Sequence, residues 1–219
     1  PGLGRLIGRV SVAKAITLVC GAAFLVALAL DPAALTRPRG LFNMLSPSSA
    51  ALDALGMTGS YALARGRWWT LLTAIYLHGG LLHVAFNMLA LWVFGPPVES
   101  RLKRFGFLGF YLMAGAVANI AHMMVSPAPV IGASGAIAGV TGAFLALFPR
   151  SNVICFYLFT GSVIAVSSLW FIGLYFVINV FSQFSAMLGG HDRGIAYMAH
   201  IAGYVYGFAF GFALLALKV

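Results

Sequence analysis

The chain has 219 residues, 62% of them hydrophobic and only 8% charged, with a formal net charge of +9. Soluble globular domains hold about half apolar and a quarter charged residues, so this composition excludes an ordinary soluble domain and describes a polytopic membrane protein. The positive charge does not describe a nucleic-acid binder, because the bases are scattered at the ends of apolar segments rather than gathered on one soluble face.

The apolar segments are long and continuous. Alternating strands of a membrane barrel would look different, so helices are expected, with every backbone group in lipid satisfied within its own segment. The pattern predicts an all-α bundle of six transmembrane helices forming one membrane domain over residues 1–219. The first span is Val12–Leu30. Residues 31–80 follow as the longest connection, with Pro32, Pro38, Pro47 and several glycines. A loop of this length inside a compact domain tends to be functional. It also carries Phe42, Tyr61, Trp68, Trp69 and Tyr76, and tryptophan and tyrosine favour the headgroup region. The second span is expected at 81–98, the third at 106–125 and the fourth at 134–148. The fifth lies within 163–184 and the sixth at 199–217. The fourth is short against the ~20 residues a crossing needs, which leaves space above it for water and a loop. The glycine-containing segment 185–197, with Phe184 and Met187 nearby, reads as a mobile cap.

The chain begins with Pro1 rather than Met, which implies preceding residues, and no cleavable signal peptide is expected. Cys20 and Cys155 give neither a disulfide framework nor metal-ligand spacing, so no metal or other cofactor is expected. With a cytoplasmic N-terminus, eight bases lie inside: Arg5, Arg9, Lys14, Arg101, Lys103, Arg104, Arg150 and Lys218. Five lie outside, at Arg37, Arg39, Arg65, Arg67 and Arg193, mostly in the long loop, where they count for less. Both termini are therefore read as cytoplasmic. Spans two, four and six then all start near the outer surface.

That topology puts three distant polar residues in one layer. Ser134 opens the fourth span within Gly132-Ala133-Ser134-Gly135, His200 opens the sixth, and His83 lies near the start of the second. Flanking glycines let another backbone approach closely, and a helix N-terminus offers N–H groups to a developing oxyanion. Gly203, Gly207 and Gly211 share the face of His200, while Ser134, Ala138 and Gly142 form a small face on the fourth span. Packed together, these faces would bring the hydroxyl to the imidazole, as a weak hydroxyl nucleophile requires. His83 and Asn87, four residues apart, share a helical face and could donate to an oxyanion. Each residue also has a plainer reading, as a helix–helix hydrogen bond or a packing contact. Glu99 is expected to pair with Arg101 or another loop base. Asp31, Asp53 and Asp192 all fall in loops, which points to a Ser–His dyad rather than a triad.

These residues resemble the rhomboid family of intramembrane serine proteases. The resemblance runs in order from about Trp69 to Gly211 through His83-x-x-x-Asn87, Glu99, Arg101, Gly132-Ala133-Ser134-Gly135 and Ala199-His200-x-x-Gly203-x-x-x-Gly207. It implies that Ser134 is the nucleophile and His200 the general base, with His83, Asn87 and the Ser134 N–H stabilising the oxyanion. It also implies other proteins' transmembrane segments as substrates, access beside span five, and a bacterial cytoplasmic membrane as location. Two departures stand out. Trp69 is followed by Thr70, with Arg67 upstream, where many members have Trp-Arg, and Ala138 stands where some members place a tyrosine under the histidine ring. The competing readings are a catalytically dead relative serving as a scaffold, which would be expected to lack Ser134 or His200, and a transporter. A transporter predicts inverted repeats and midplane polar groups. Neither is evident. The sequence leaves the oligomeric state open.

Overall fold

The computed structural model describes residues 11–37, 40, 44–157, 161–188 and 195–218. It is built mainly of helices. Helix α1 (Val12–Leu30) is capped by the Ser11 hydroxyl, which accepts from the Lys14 N–H. A 3-10 turn, Pro32–Leu35, leads into three short helices: α2 (Ser49–Ala54), α3 (Ser60–Ala64) and α4 (Thr70–Thr73). Then come α5 (Leu81–Val125), α6 (Ser134–Leu147), the strands β1 (Asn152–Tyr157) and β2 (Ser162–Ser167), α7 (Ser168–Met187) and α8 (Tyr197–Ala216).

Among the described residues, four helices are long and apolar enough to cross a membrane: α1, α5, α7 and α8. The predicted second and third spans both fall in α5, whose 45 residues exceed the ~20 of a single crossing about twofold. Lys103 breaks it with φ 61° and ψ 173°, between the two predicted spans. Leu18, Leu25, Trp92, Leu174, Phe181 and Phe212 point outward, a shell that a soluble monomer does not carry but lipid solvates.

Helix α6 sits at the centre, with only Ser134 and Leu145 of its 14 residues not buried. Its small residues explain this position. A methyl added at Gly203 of α8 would land on the Gly135 carbonyl, and one at Gly207 on the Gly139 carbonyl. On the opposite face, a methyl at Gly139 would approach the Ala114 Cβ of α5 to 2.6 Å. Close helix approach of this kind is how small residues hold membrane bundles together.

The structure corrects several expectations. Residues 163–167, placed in the fifth span, form β2, which pairs antiparallel with β1. The β-branched runs Val153-Ile154 and Val163-Ile164, with Gly161 at φ 66° in the turn, favour strand pairing over helix. Within the long connection, the described residues form the 3-10 turn and the short helices α2, α3 and α4. Asp53 is its anchor, accepting from the Tyr61 hydroxyl at 2.8 Å and Arg67 Nη1 at 2.9 Å, while Arg67 Nη2 donates to the Asp53 carbonyl at 2.7 Å. Arg67 thus ties the loop down from its upstream position. Pro38 and Phe42 lie outside the described residues, as do residues 189–194 of the expected cap, while Ser185–Met187 continue α7. Glu99, expected to pair with Arg101 or another loop base, caps α1: its two oxygens accept from the Val12 and Ala13 N–H groups at 2.7 and 3.0 Å. A helix start exposes unpaired N–H groups and the positive end of its dipole, and a buried carboxylate answers both.

Candidate functional site

Ser134 is the first residue of α6, delivered by a turn in which Gly132 takes φ 119°. That left-handed conformation favours glycine, and space demands it as well. A Cβ there would lie 2.9 Å from His83 Nε2 and 3.6 Å from the Ser134 hydroxyl. The Gly132 N–H is held by the Ala74 carbonyl at 2.9 Å, so this residue contributes room and conformation rather than a donor.

His200 lies in the first turn of α8 and is 8% exposed. The Ser134 Oγ and His200 Nε2 are 2.8 Å apart, a full-strength hydrogen bond. The glycine seam sets this distance by holding α6 and α8 in backbone contact directly below the pair. Gly203 and Gly207 lie in the seam, joined by Gly142, where an added methyl would meet the Tyr204 carbonyl. Ala138 is also in the seam, its Cβ 3.0 Å from a methyl built at Gly203.

His83 stands across Gly132 from the serine, its Nδ1 accepting from the Gly79 N–H at 3.3 Å. That leaves Nε2 on the side facing Gly132. Asn87, one turn below, donates through Nδ2 to the His83 carbonyl at 2.8 Å. The side chains of Ser134, His200 and His83 therefore meet at one level, and Asn87 lies one turn below His83 on α5.

Two polar groups escaped the sequence reading. His78 is fully buried and stacks edge-on against His83, ring centroids 5.0 Å apart. Its Nε2 accepts from the Ala133 N–H at 3.5 Å and its Nδ1 faces the Tyr76 carbonyl at 3.3 Å, a pattern that suits the neutral ring. Burial, reinforced by the His83 ring, lowers its pKa to about 3. Asn179, in the middle of α7, is 2% exposed, and its Oδ1 is 2.7 Å from His200 Nδ1. Its only sequence signal was an amide within an apolar span. Among the described residues there is no group of His, Cys, Asp and Glu able to hold a metal ion.

Residues 65–217 match the family model described as Rhomboid domain, well over half of the chain. The chain belongs to the rhomboid family. Rhomboid protease GluP of Bacillus subtilis (strain 168) is 47% identical over 100 residues, covering 46% of this chain and 20% of that protein. RHOMBOID-like protein 6, mitochondrial, of Arabidopsis thaliana is 31% identical over 176 residues, 78% of this chain and 52% of the relative. RHOMBOID-like protein 4 of Arabidopsis thaliana is 30% identical over 178 residues, 78% of this chain and 41% of the relative. The chain thus spans about half, or less, of these relatives' lengths. Family membership and apolar helices together make this an integral membrane protein.

Proposed function

We propose that this rhomboid protein is an intramembrane serine endopeptidase that hydrolyses peptide bonds in other proteins' transmembrane segments. The observation that carries the reading is the 2.8 Å contact between Ser134 Oγ and His200 Nε2. The Ser134 oxygen attacks the substrate carbonyl while its proton passes to His200 Nε2. The imidazolium then gives that proton to the leaving amine, and an acyl-enzyme remains. Water, deprotonated by the same nitrogen, adds to the ester carbon and releases Ser134. The Ser134 backbone N–H, His83 Nε2 as a donor and Asn87 Nδ2 act on the oxyanion, where charge develops.

The chain crosses the membrane six times in this reading, with both termini cytoplasmic and the site near the extracytoplasmic face of a bacterial cytoplasmic membrane. The short α6 supports a site sunk below that surface yet open to water from above. A helical substrate hides its peptide bonds in its own hydrogen bonds, so helix-breaking residues near the cut favour cleavage.

The test is cleavage of a transmembrane substrate, with and without a helix-breaking residue near the cut, by purified protein in proteoliposomes. Wild-type protein should produce two fragments, and Ser134→Ala should produce none. Equal cleavage by both proteins would remove Ser134 from the reaction.

A further inference from the structure

We infer that Asn179 is a positioning residue that fixes the tautomer and ring orientation of His200, the base of the serine–histidine pair. The inference rests on the proteolytic reading of the site and deepens it.

The orientation of the amide follows from its two neighbours. Asn179 Nδ2 donates to the Tyr175 carbonyl at 2.8 Å, one turn back on α7. A carbonyl only accepts, so the flipped amide would set two acceptor oxygens against each other. The Oδ1 therefore faces His200 Nδ1, at 2.7 Å. An amide oxygen also only accepts, so Nδ1 carries the proton. The neutral ring has one proton, which leaves the lone pair on Nε2, where the Ser134 hydroxyl sits at 2.8 Å. The same bond remains when the ring becomes imidazolium, so the acceptor serves both states of the catalytic cycle.

Its position gives the same answer. Helix α7 is the most lipid-exposed of the long helices, with only Ser168, Ile172 and Asn179 buried. A polar side chain in an apolar span is costly unless it meets a partner inside the bundle. Asn179 meets His200 there. Ala138, one turn after Ser134, carries only a methyl, and the orienting hydrogen bond to His200 comes from Asn179 on α7.

The alternative is a simple tie between α7 and α8, and the experiment separates the two. Asn179→Leu keeps the branched shape and removes both hydrogen bonds. Asn179→Asp keeps an acceptor toward Nδ1. In proteoliposomes, Asn179→Leu should lower kcat by about 10- to 100-fold with KM within about twofold, the size of effect expected for a misaligned base. Asn179→Asp should recover most of the lost kcat. Ring 15N spectra of histidine-labelled protein should show His200 with a protonated Nδ1 and a bare Nε2 in the wild type, and a shift toward the Nε2–H tautomer in Asn179→Leu. Unchanged kcat and an unchanged tautomer in Asn179→Leu overturn the inference, as does a loss of thermal stability with both readouts intact. If wild-type protein cleaves nothing, the protease reading fails, and the wild-type spectrum still decides: an Nε2–H tautomer overturns the role of Asn179, and an Nδ1–H tautomer upholds it.

Discussion

Replacing Gly207 with alanine tests whether the backbone seam between α6 and α8 sets the geometry of the serine–histidine pair. The added Cβ would fall on the Gly139 carbonyl oxygen, 2.6 Å from its carbon and 2.8 Å from the Gly139 Cα. Ordinary carbon–carbon contact is about 3.5–4.0 Å, so the helices must part by roughly 1 Å. The obstacle is backbone on a buried helix and cannot swing aside. Overpacking costs typically 1–3 kcal/mol, offset in part by the ~1 kcal/mol alanine gains over glycine in helix propensity. The larger consequence is catalytic, because a ~1 Å misplacement of reacting groups can cost about 100-fold in rate. Steady-state cleavage in proteoliposomes should show that loss mainly in kcat. Gly109→Ala, where a Cβ meets nothing within 4 Å, is the control and should keep full activity. If Gly207→Ala retains the activity of Gly109→Ala, the seam does not position the site.

Further outcomes follow from the other buried polar groups. Glu99→Gln leaves an acceptor for only part of the α1 start and should lower stability by about 1–2 kcal/mol, read as a lower thermal midpoint; an unchanged midpoint would count against the cap. The pKa of His78 falls from the model-peptide 6.5 to about 3 on folding, because burial penalises the charged ring. The unfolded chain then takes up a proton that the folded one refuses, so stability present above pH 6.5 is lost as pH falls toward 3, on the order of 5 kcal/mol across that window. Thermal midpoints between pH 7.5 and 5 should fall less steeply in His78→Gln than in wild type, and parallel slopes would contradict this. His83→Ala and Asn87→Ala should each lower kcat by about 100-fold or more if they hold the oxyanion, with little change in KM. An effect confined to KM would assign them to substrate binding instead.

The helical architecture was largely legible because hydropathy in lipid is a strong constraint. The start of α1 at Val12 and of α6 at Ser134 could be read directly from the apolar runs. The glycine periodicity at Gly203 and Gly207 also identified which faces meet, since only glycine permits carbonyl contact there. Long-range polar partners were less visible. Glu99 sits near Arg101 in sequence, and local charge pairing was the natural inference, but the chain folds the start of α1 onto that carboxylate across 87 residues. Asn179 looked like an isolated amide because its partner lies on a different helix. The hairpin at 152–167 was hidden by its own hydrophobicity, since an apolar β-branched run beside a membrane span reads as more of the span.

The central claim is that Ser134 is a nucleophile activated by His200. The most direct measurement is labelling of the folded protein by a fluorophosphonate, with the modified residue located by mass spectrometry. The account predicts covalent modification at Ser134 that disappears in Ser134→Ala and is strongly reduced in His200→Ala. Folded wild-type protein that shows no modification, or modification that persists in Ser134→Ala, would contradict it.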